Sequence, residues 1–432
     1  MSKPLDTFSA IFLIVASMLG TGILTTTGII LSLVKTPNAV LGVWVAGGLL
    51  AWIGAWCYGE LARSLPRNGG EATILRESIS PTLGEIAGLT SFVVGFAACN
   101  SATSLALADY LGEALPQSSA HPKIVACIAL LLVTGLHGLL GPVGLRIQTL
   151  LAAAKFSLLA GLALYGLFLA APTAVNLPPA ALPAQSAEFG PSWGLAMMLV
   201  MFAYSGWNAA VYVAGEIHEP IRNVRRIMIV GATIIALLYV TINAVLLTQL
   251  PAGALEGVRP VIAVLVKHLF GAEASSVFSG LVAFAMLSSL GVSAFLGPRV
   301  LAAMLDWFGA AAAGAADSAD RRAPTVNPRL VWLQAGLSIF MVLTGSFVQI
   351  LTVMGFLLGL FPILCVLCLY RRAYDKPGWA LILTRYLFAP LFVGVSSIIL
   401  VLGASQSPNE VAIALGLIGL FFLARMGMNR FI

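Results

Sequence analysis

The chain alternates long apolar stretches with short polar, glycine- or proline-bearing punctuation. The stretches fall at about 12 places, each near the roughly 20 residues that a helix needs to cross a bilayer. They run 8–34, 40–64, 84–114, 122–141, 145–171, 192–217, 225–249, 274–305, 328–346, 349–370, 382–403 and 409–427. The shallowest divisions lie at Gly141-Pro142 and Gly345-Ser346. Between the seventh and eighth stretches, Val261–Phe270 has the pattern of a short amphipathic helix outside the membrane. Residues 310–316, with the Asp-Ser-Ala-Asp-Arg-Arg that follows, read as a low-complexity loop. The pattern as a whole predicts an all-α polytopic membrane protein.

Two stretches carry interruptions. In the first, Gly20 and Gly22 flank Thr21 inside an apolar run. A glycine in a helix interior costs about 1 kcal/mol relative to alanine, so the helix is expected to break there. The freed N–H and C=O groups cannot face lipid and must face protein or a water-filled cavity. In the sixth, Phe202-Ala-Tyr-Ser-Gly-Trp-Asn208 is a second polar, glycine-bearing interruption. Breaks in spans one and six fit two five-helix halves, the second inverted relative to the first because each holds an odd number of spans. The expected division is 1–171, 172–371 and a closing pair of spans in 372–432. If the two breaks face each other near the midplane, half-helix N-termini point partial positive charge at an anion and unwound carbonyls receive a cation. A zwitterion bearing a carboxylate and an ammonium on one carbon is the natural guest.

Composition sharpens the class. Hydrophobic residues make up 59% of the 432 positions and charged residues 9%, which excludes an ordinary soluble domain. The net charge of +6 does not indicate nucleic acid, because the basic residues fall mostly in short loops between apolar runs. One set of connections holds Arg63, Arg67, Arg76, Arg222, Arg225 and Arg226 among many others, and the opposite set only Lys35, Lys123, Arg259 and Lys267. By the positive-inside rule both termini are cytoplasmic, in a cell (inner) membrane. The start, with one lysine and no cleavage-like site, leads into a retained first span. The five cysteines lie in or beside apolar segments and read as buried small hydrophobes. Cys365-Val-Leu-Cys368 has no second pair and reads as structural rather than metal-binding. His121, His137, His218 and His268 show no ligand spacing, and no nucleophile, base and orienting group occur together. Neither a cofactor, a metal nor enzymatic activity is expected.

Several motifs in order carry a family resemblance. Gly20-Thr-Gly-Ile-Leu24, Cys57-Tyr-Gly-Glu-Leu-Ala62, Pro66-Arg-Asn-Gly-Gly-Glu71, Phe202 to Asn208 and Gly297-Pro-Arg-Val300 resemble signatures of the amino acid-polyamine-organocation superfamily. They are most similar to bacterial relatives of the L-type amino acid transporters. The resemblance implies the leucine-transporter fold, with alternating access around broken helices 1 and 6. It implies that backbone around Gly20, Thr21, Gly22 and Ile23 takes a substrate carboxylate, that carbonyls near Phe202, Ala203 and Ser205 take the amine, and that Phe202 is an aromatic gate. Leu24, where an aromatic is commoner, and Ala72-Thr73, where tyrosines are frequent, depart from the pattern without touching the glycine break.

The remaining candidates are polar groups inside spans. Asn208 lines the pocket in this reading, since an amide in hydrocarbon needs a partner; Trp207 is its neighbour. Lys155 lies in an apolar part of the fifth span, too deep to snorkel comfortably. The resemblance implies a tethered cation replacing a sodium ion, proton-linked, with carbonyls of the first break and Ser288 or Ser289 as neighbours. Tyr239 and Asn243 resemble the family's seventh-span polar pair, interhelical hydrogen bonding being the alternative. Glu60 is expected to pair with an arginine, Asp109 to lie near the outer end of span three, and Glu216 to join an ion pair at the inner end. Asn100 and Ser101 suit either a vestibule or helix packing.

These readings predict a sodium-independent secondary transporter of neutral L-amino acids, by proton-coupled symport or exchange, whose partners are the substrate, protons and the bilayer. Neither break contains a carboxylate, which disfavours a polyamine. An amine or polyamine antiporter and an amino-acid-sensing membrane receptor are the alternatives. The oligomeric state is left open; no cysteine lies in an outer loop to bridge a partner subunit.

Overall fold

A computed structural model describes residues 5–140, 143–169, 191–312, 328–372 and 378–431. The low-complexity loop beyond residue 312, the Gly141-Pro142 division and the side chain of His137 lie outside the described residues. The first apolar stretch forms α1 (Thr7–Met18), α2 (Gly22–Thr25) and α3 (Thr27–Val34). Asp6 caps α1 by accepting from the Ser9 N–H at 2.7 Å. Then come α4 (Pro37–Ser64), α5 (Gly70–Ser78) and α6 (Pro81–Thr90), which runs through a π-helical stretch, Ser91–Ala98, into α7 (Cys99–Ala114). After α8 (Pro122–Leu140) and α9 (Val143–Phe168), the sixth stretch forms α10 (Pro191–Ala203) and α11 (Ala209–Tyr212). The rest is α12 (Pro220–Gln249), α13 (Ala252–Leu255), α14 (Val261–Phe270), α15 (Ala272–Ala312), α16 (Pro328–Thr344), α17 (Phe347–Arg371), α18 (Trp379–Leu383), α19 (Ala389–Gln406) and α20 (Pro408–Phe431).

Among the described residues, eight helices are long and apolar enough to cross a membrane. Shorter apolar helices at Pro122–Gly135, Ser192–Ala203, Pro328–Thr344 and Pro408–Leu423 occupy the places of the other expected stretches. Most helix bounds follow the hydrophobic pattern to within a few residues; α15 runs on to Ala312 rather than 305, so residues 310–312 are helical and not part of the expected loop, and a second difference is instructive. Helix α12 starts at Pro220 rather than 225. Proline's fixed φ and missing N–H suit a first helical position, and this draws Arg222, Arg225 and Arg226 into the opening turns. The amphipathic Val261–Phe270 turns its apolar residues, Val261, Ile262, Leu265 and Val266, into the protein, where it packs on α15.

The π stretch at Ser91–Ala98, like a second at Thr384–Phe388 between α18 and α19, has no counterpart in the hydrophobic pattern. Around it, Thr90 and Ser91 hydroxyls donate to the carbonyls of Ile86 and Ala87, at 2.9 and 3.0 Å, and Ser101 to that of Ala97 at 2.9 Å. Such back-bonding competes with the regular ladder and loosens it. The core runs through the middle of the bundle. Trp44, Tyr204 and Tyr239 are fully buried with ring centroids 5.2–5.7 Å apart, which joins α4, the second break and α12. Glycines let α4 lie close to its neighbours: Gly47 meets Val200 and Tyr204, Gly54 meets Trp207 and Phe392, and Gly59 meets Arg225.

Candidate functional site

Leu19, Gly20 and Thr21 interrupt the first helix, as the glycine pair predicts. The loose carbonyls on either side are taken up by side chains. Tyr239 donates to the Met18 carbonyl at 2.6 Å and Tyr110 to the Leu24 carbonyl at 2.9 Å. Thr25 and Thr26 hydroxyls donate back to the carbonyls of Thr21 and Gly22, at 2.9 and 2.8 Å. Asn243 accepts from Thr27 Oγ1 at 2.7 Å and donates to the Tyr239 carbonyl at 2.8 Å. The polar pair of α12 therefore braces both halves of the broken helix through hydrogen bonds within the protein.

The second break spans Tyr204 to Asn208. Tyr204 is anchored by donation to the Trp44 carbonyl at 3.1 Å. Gly206 takes φ +99°, and a Cβ there would stand 2.7 Å from the Ser17 carbonyl, so only glycine fits both the backbone and the space. Conversely, a Cβ on Gly22 would collide with the backbone and Cβ of Ala203. The two breaks, far apart in sequence, are thus packed directly on one another. Thr21, Ile23, Phe202 and Ala203 are buried at this junction, and Gly20, Ser205 and Asn208 are half-buried.

The Asn208 amide does not stand free. Its Nδ2 donates at 2.9 Å to Oε1 of Glu71, which also accepts from the Tyr58 hydroxyl at 2.9 Å. Glu71 is 4% exposed, and desolvation pushes its carboxyl up to about 7. In the sequence Glu71, Tyr58 and Tyr204 each stand inside one of the motifs that carry the family resemblance, but nothing there indicates that Glu71 and Tyr58 meet the second break.

Lys155 is buried on α9, and its Nζ donates to Ser289 Oγ of α15 at 3.3 Å, with Cys99 beside it. Ser288's side chain lies outside the described residues. The Ser101 hydroxyl reaches the Ser338 carbonyl at 2.9 Å, tying α7 to α16.

Contacts close over the junction at both ends. On the side of the N-terminus, Leu5 N–H donates to the Glu216 carbonyl at 2.8 Å and His218 N–H to the Leu5 carbonyl at 3.0 Å. Asn68 donates to Glu216 Oε1 at 3.0 Å and accepts from Gly215 N–H at 2.9 Å. Glu216 is therefore held by an amide rather than in the expected ion pair, since Arg222 pairs with Glu219 at 3.8 Å and Arg225 with the buried Glu60. On the opposite side, Gly257 N–H donates to the Gly28 carbonyl at 2.9 Å, Lys35 pairs with Glu256 at 2.9 Å and Arg259 with Asp109 at 2.8 Å. A cavity of about 700 Å³ opens there, lined by Asp109, Glu113, Arg259, Lys267 and Ser275 among others. Among the described residues, no group of three or more histidine, cysteine, aspartate or glutamate side chains could hold a metal ion, and the five cysteines are unbridged.

This arrangement, two broken helices in contact inside an apolar bundle, agrees with what the chain resembles. The b(0,+)-type amino acid transporter 1 of Mus musculus is 27% identical over 248 residues, 56% of this chain and 50% of that protein. The serine/threonine exchanger SteT of Bacillus subtilis is 25% identical over 256 residues, 59% and 56% of the two chains. The large neutral amino acids transporter small subunit 2 of Homo sapiens is 25% identical over 281 residues, 63% and 52% of the two. The chain spans about half the length of these curated relatives. The family model described as amino acid permease matches residues 5–422, nearly the whole sequence. The chain belongs to the amino acid permease family, within the amino acid-polyamine-organocation superfamily.

Proposed function

We propose that this protein is a sodium-independent transporter of neutral L-amino acids that works by alternating access at the junction of its two broken helices. The observation that carries the reading is the mutual packing of Gly22 on Ala203 and of Gly206 on Ser17 and Met18. It places unwound backbone from both helices in one buried spot, which is what a zwitterion needs. In this reading, backbone around Gly20, Thr21, Gly22 and Ile23 receives the carboxylate, carbonyls near Phe202, Ala203 and Ser205 receive the ammonium, and Phe202 gates the site. The chain crosses the membrane about 12 times, as the roughly 20-residue spacing of its apolar stretches suggests. The first two groups of five spans form inverted repeats in 1–171 and 172–371, two more spans fill 372–432, and both termini are cytoplasmic. Lys155, beside Ser289, supplies a fixed or titrating positive charge where a sodium-coupled protein would bind an ion. Exchange is favoured over symport by the likeness to a protein named as a serine/threonine exchanger.

The test is uptake of a panel of labelled L-amino acids and putrescine into sodium-free proteoliposomes, either preloaded with amino acid or empty under an inward proton gradient. Uptake of neutral amino acids that needs preloading is the expected result, and Lys155→Ala should reduce it at least tenfold at unchanged expression. Gradient-driven uptake into empty vesicles would instead make the coupling proton symport. Putrescine uptake alone, or binding without flux, would overturn the reading in favour of an amine antiporter or a receptor.

A further inference from the structure

Glu71 stands outside the junction and outside the candidate spans, yet it reaches the second break. It lies in the first turn of α5, between α4 and α6. Two neutral donors, the Tyr58 hydroxyl from α4 and the Asn208 amide from the end of the break, converge on its Oε1. Among the described residues, no arginine or lysine is bonded to it. The titratable groups that face it are Tyr58 from α4, Tyr212 from α11 and Cys365 from α17, whose Sγ lies 4.0 Å from the Glu71 carbonyl oxygen. The other buried glutamates among the described residues, Glu60 and Glu85, are committed to Arg63 and Arg225, and to Arg425. On its own helix are Arg76, which has interactions of its own, and Glu77, which pairs with Arg67 at 3.2 Å.

Two neutral donors on one oxygen, with no cation, fit a neutral carboxylic acid, whose carbonyl oxygen accepts both while its hydroxyl carries the proton. Burying an unpaired carboxylate would be costly. The same residues hold the N-terminal side shut: Gly69 N–H donates to the Tyr212 carbonyl at 3.1 Å, and Gly70 packs on the Tyr212 ring. Any movement of α11 away from α5 that opens this side breaks the Asn208 bond and lets water reach Glu71.

We infer that Glu71 is a proton-linked latch on the N-terminal side of the transport site, holding a proton while that side is closed and releasing it when that side opens. The sign follows from burial. In the closed form the carboxyl titrates near 7, well above its ordinary value, so the proton binds the closed form more tightly than the hydrated open one. Acid on that side therefore favours closure, and alkali favours opening. The latch is a positioning device acting through Asn208, and it rests on the alternating-access reading given above.

The first readout needs no substrate. The Trp207 ring lies 4.8 Å from that of Tyr58, so tryptophan fluorescence reports on this corner. The purified full-length protein in nanodiscs should show a fluorescence transition centred near pH 7. Glu71→Gln, which keeps an acceptor for both donors, should abolish it, and Tyr58→Phe, which removes a donor to the carboxylate, should move its midpoint upward. In proteoliposomes, exchange should rise severalfold as the pH on the N-terminal side is raised from 6 to 8, and Glu71→Gln should hold it near the acid-side rate at every pH. A wild-type protein with no transition between pH 6 and 8, or a Glu71→Gln protein that keeps the wild-type profile, would overturn the latch. If the transition is present and depends on Glu71 while no amino acid is transported, the latch stands and the substrate reading fails.

Discussion

Gly22 shows how much can rest on the lack of a side chain. Its Cα faces the backbone of Ala203 so closely that a methyl group has no space, and the clash is with main chain, which cannot swing aside as a side-chain tip can. Gly22→Ala should therefore pry the two breaks apart and bring amino acid uptake to background, measured in proteoliposomes containing equal amounts of monodisperse protein. Wild-type uptake by that variant would contradict the contact. The glycines at this break were legible in the sequence because an apolar run containing two glycines around a threonine breaks for local reasons. The partner of Asn208 was not. An amide in hydrocarbon demands a partner, but nothing within the sixth stretch indicates that it is Glu71, 137 positions away. The same holds for Glu216, which in sequence precedes His218 and the Arg222-Arg225-Arg226 cluster and whose partner in space is Asn68. Charge proximity along the chain proposes partners; the packing of separate helices selects them.

At the scale of elements, the hydrophobic period placed the helices well because each must bury or present a long apolar surface, and polar punctuation marks where that ends. It could not place the π stretch of Ser91–Ala98, since one extra residue per turn leaves composition unchanged. Nor could it say what α12 does with Tyr239 and Asn243. These residues brace α1 and α3 on either side of the break, so α12 acts as a splint for the interrupted helix. Asn243→Ala should strand the Thr27 hydroxyl and cost about 1–3 kcal/mol, the penalty of a buried unpaired polar group. Thermal unfolding in detergent checks this, and pairing Asn243→Leu with Thr27→Val should recover most of the loss. If the double variant unfolds as early as Asn243→Ala, the bond is not what holds α3 to α12.

At the scale of the molecule, the closing helices are tied in by charge as well as by apolar contact. Glu85 of α6 is 3% exposed and pairs with Arg425 of α20. Removing one partner of a buried pair leaves an uncompensated charge, so Arg425→Ala should destabilise the protein by about 3–5 kcal/mol. An unchanged unfolding temperature would show that α20 is not anchored there. The same logic joins α12 to α4 through Arg225 and Glu60, with Arg225 also stacked 5.1 Å over the Trp56 ring. Anchors of this kind fix the surrounding helices while hydrogen bonds and the Lys35–Glu256 and Arg259–Asp109 pairs close the two ends of the junction, and in the proposed cycle those end contacts are the ones that change.

The central claim, that an amino acid sits where the two breaks meet, is tested most directly by Thr21→Cys in a background with the five cysteines replaced. Labelling with a membrane-impermeant thiol reagent would be followed with and without a saturating transported amino acid. An amino acid bound at the junction should slow labelling of the Thr21→Cys variant at least severalfold. Labelling at the same rate with and without that amino acid would contradict it.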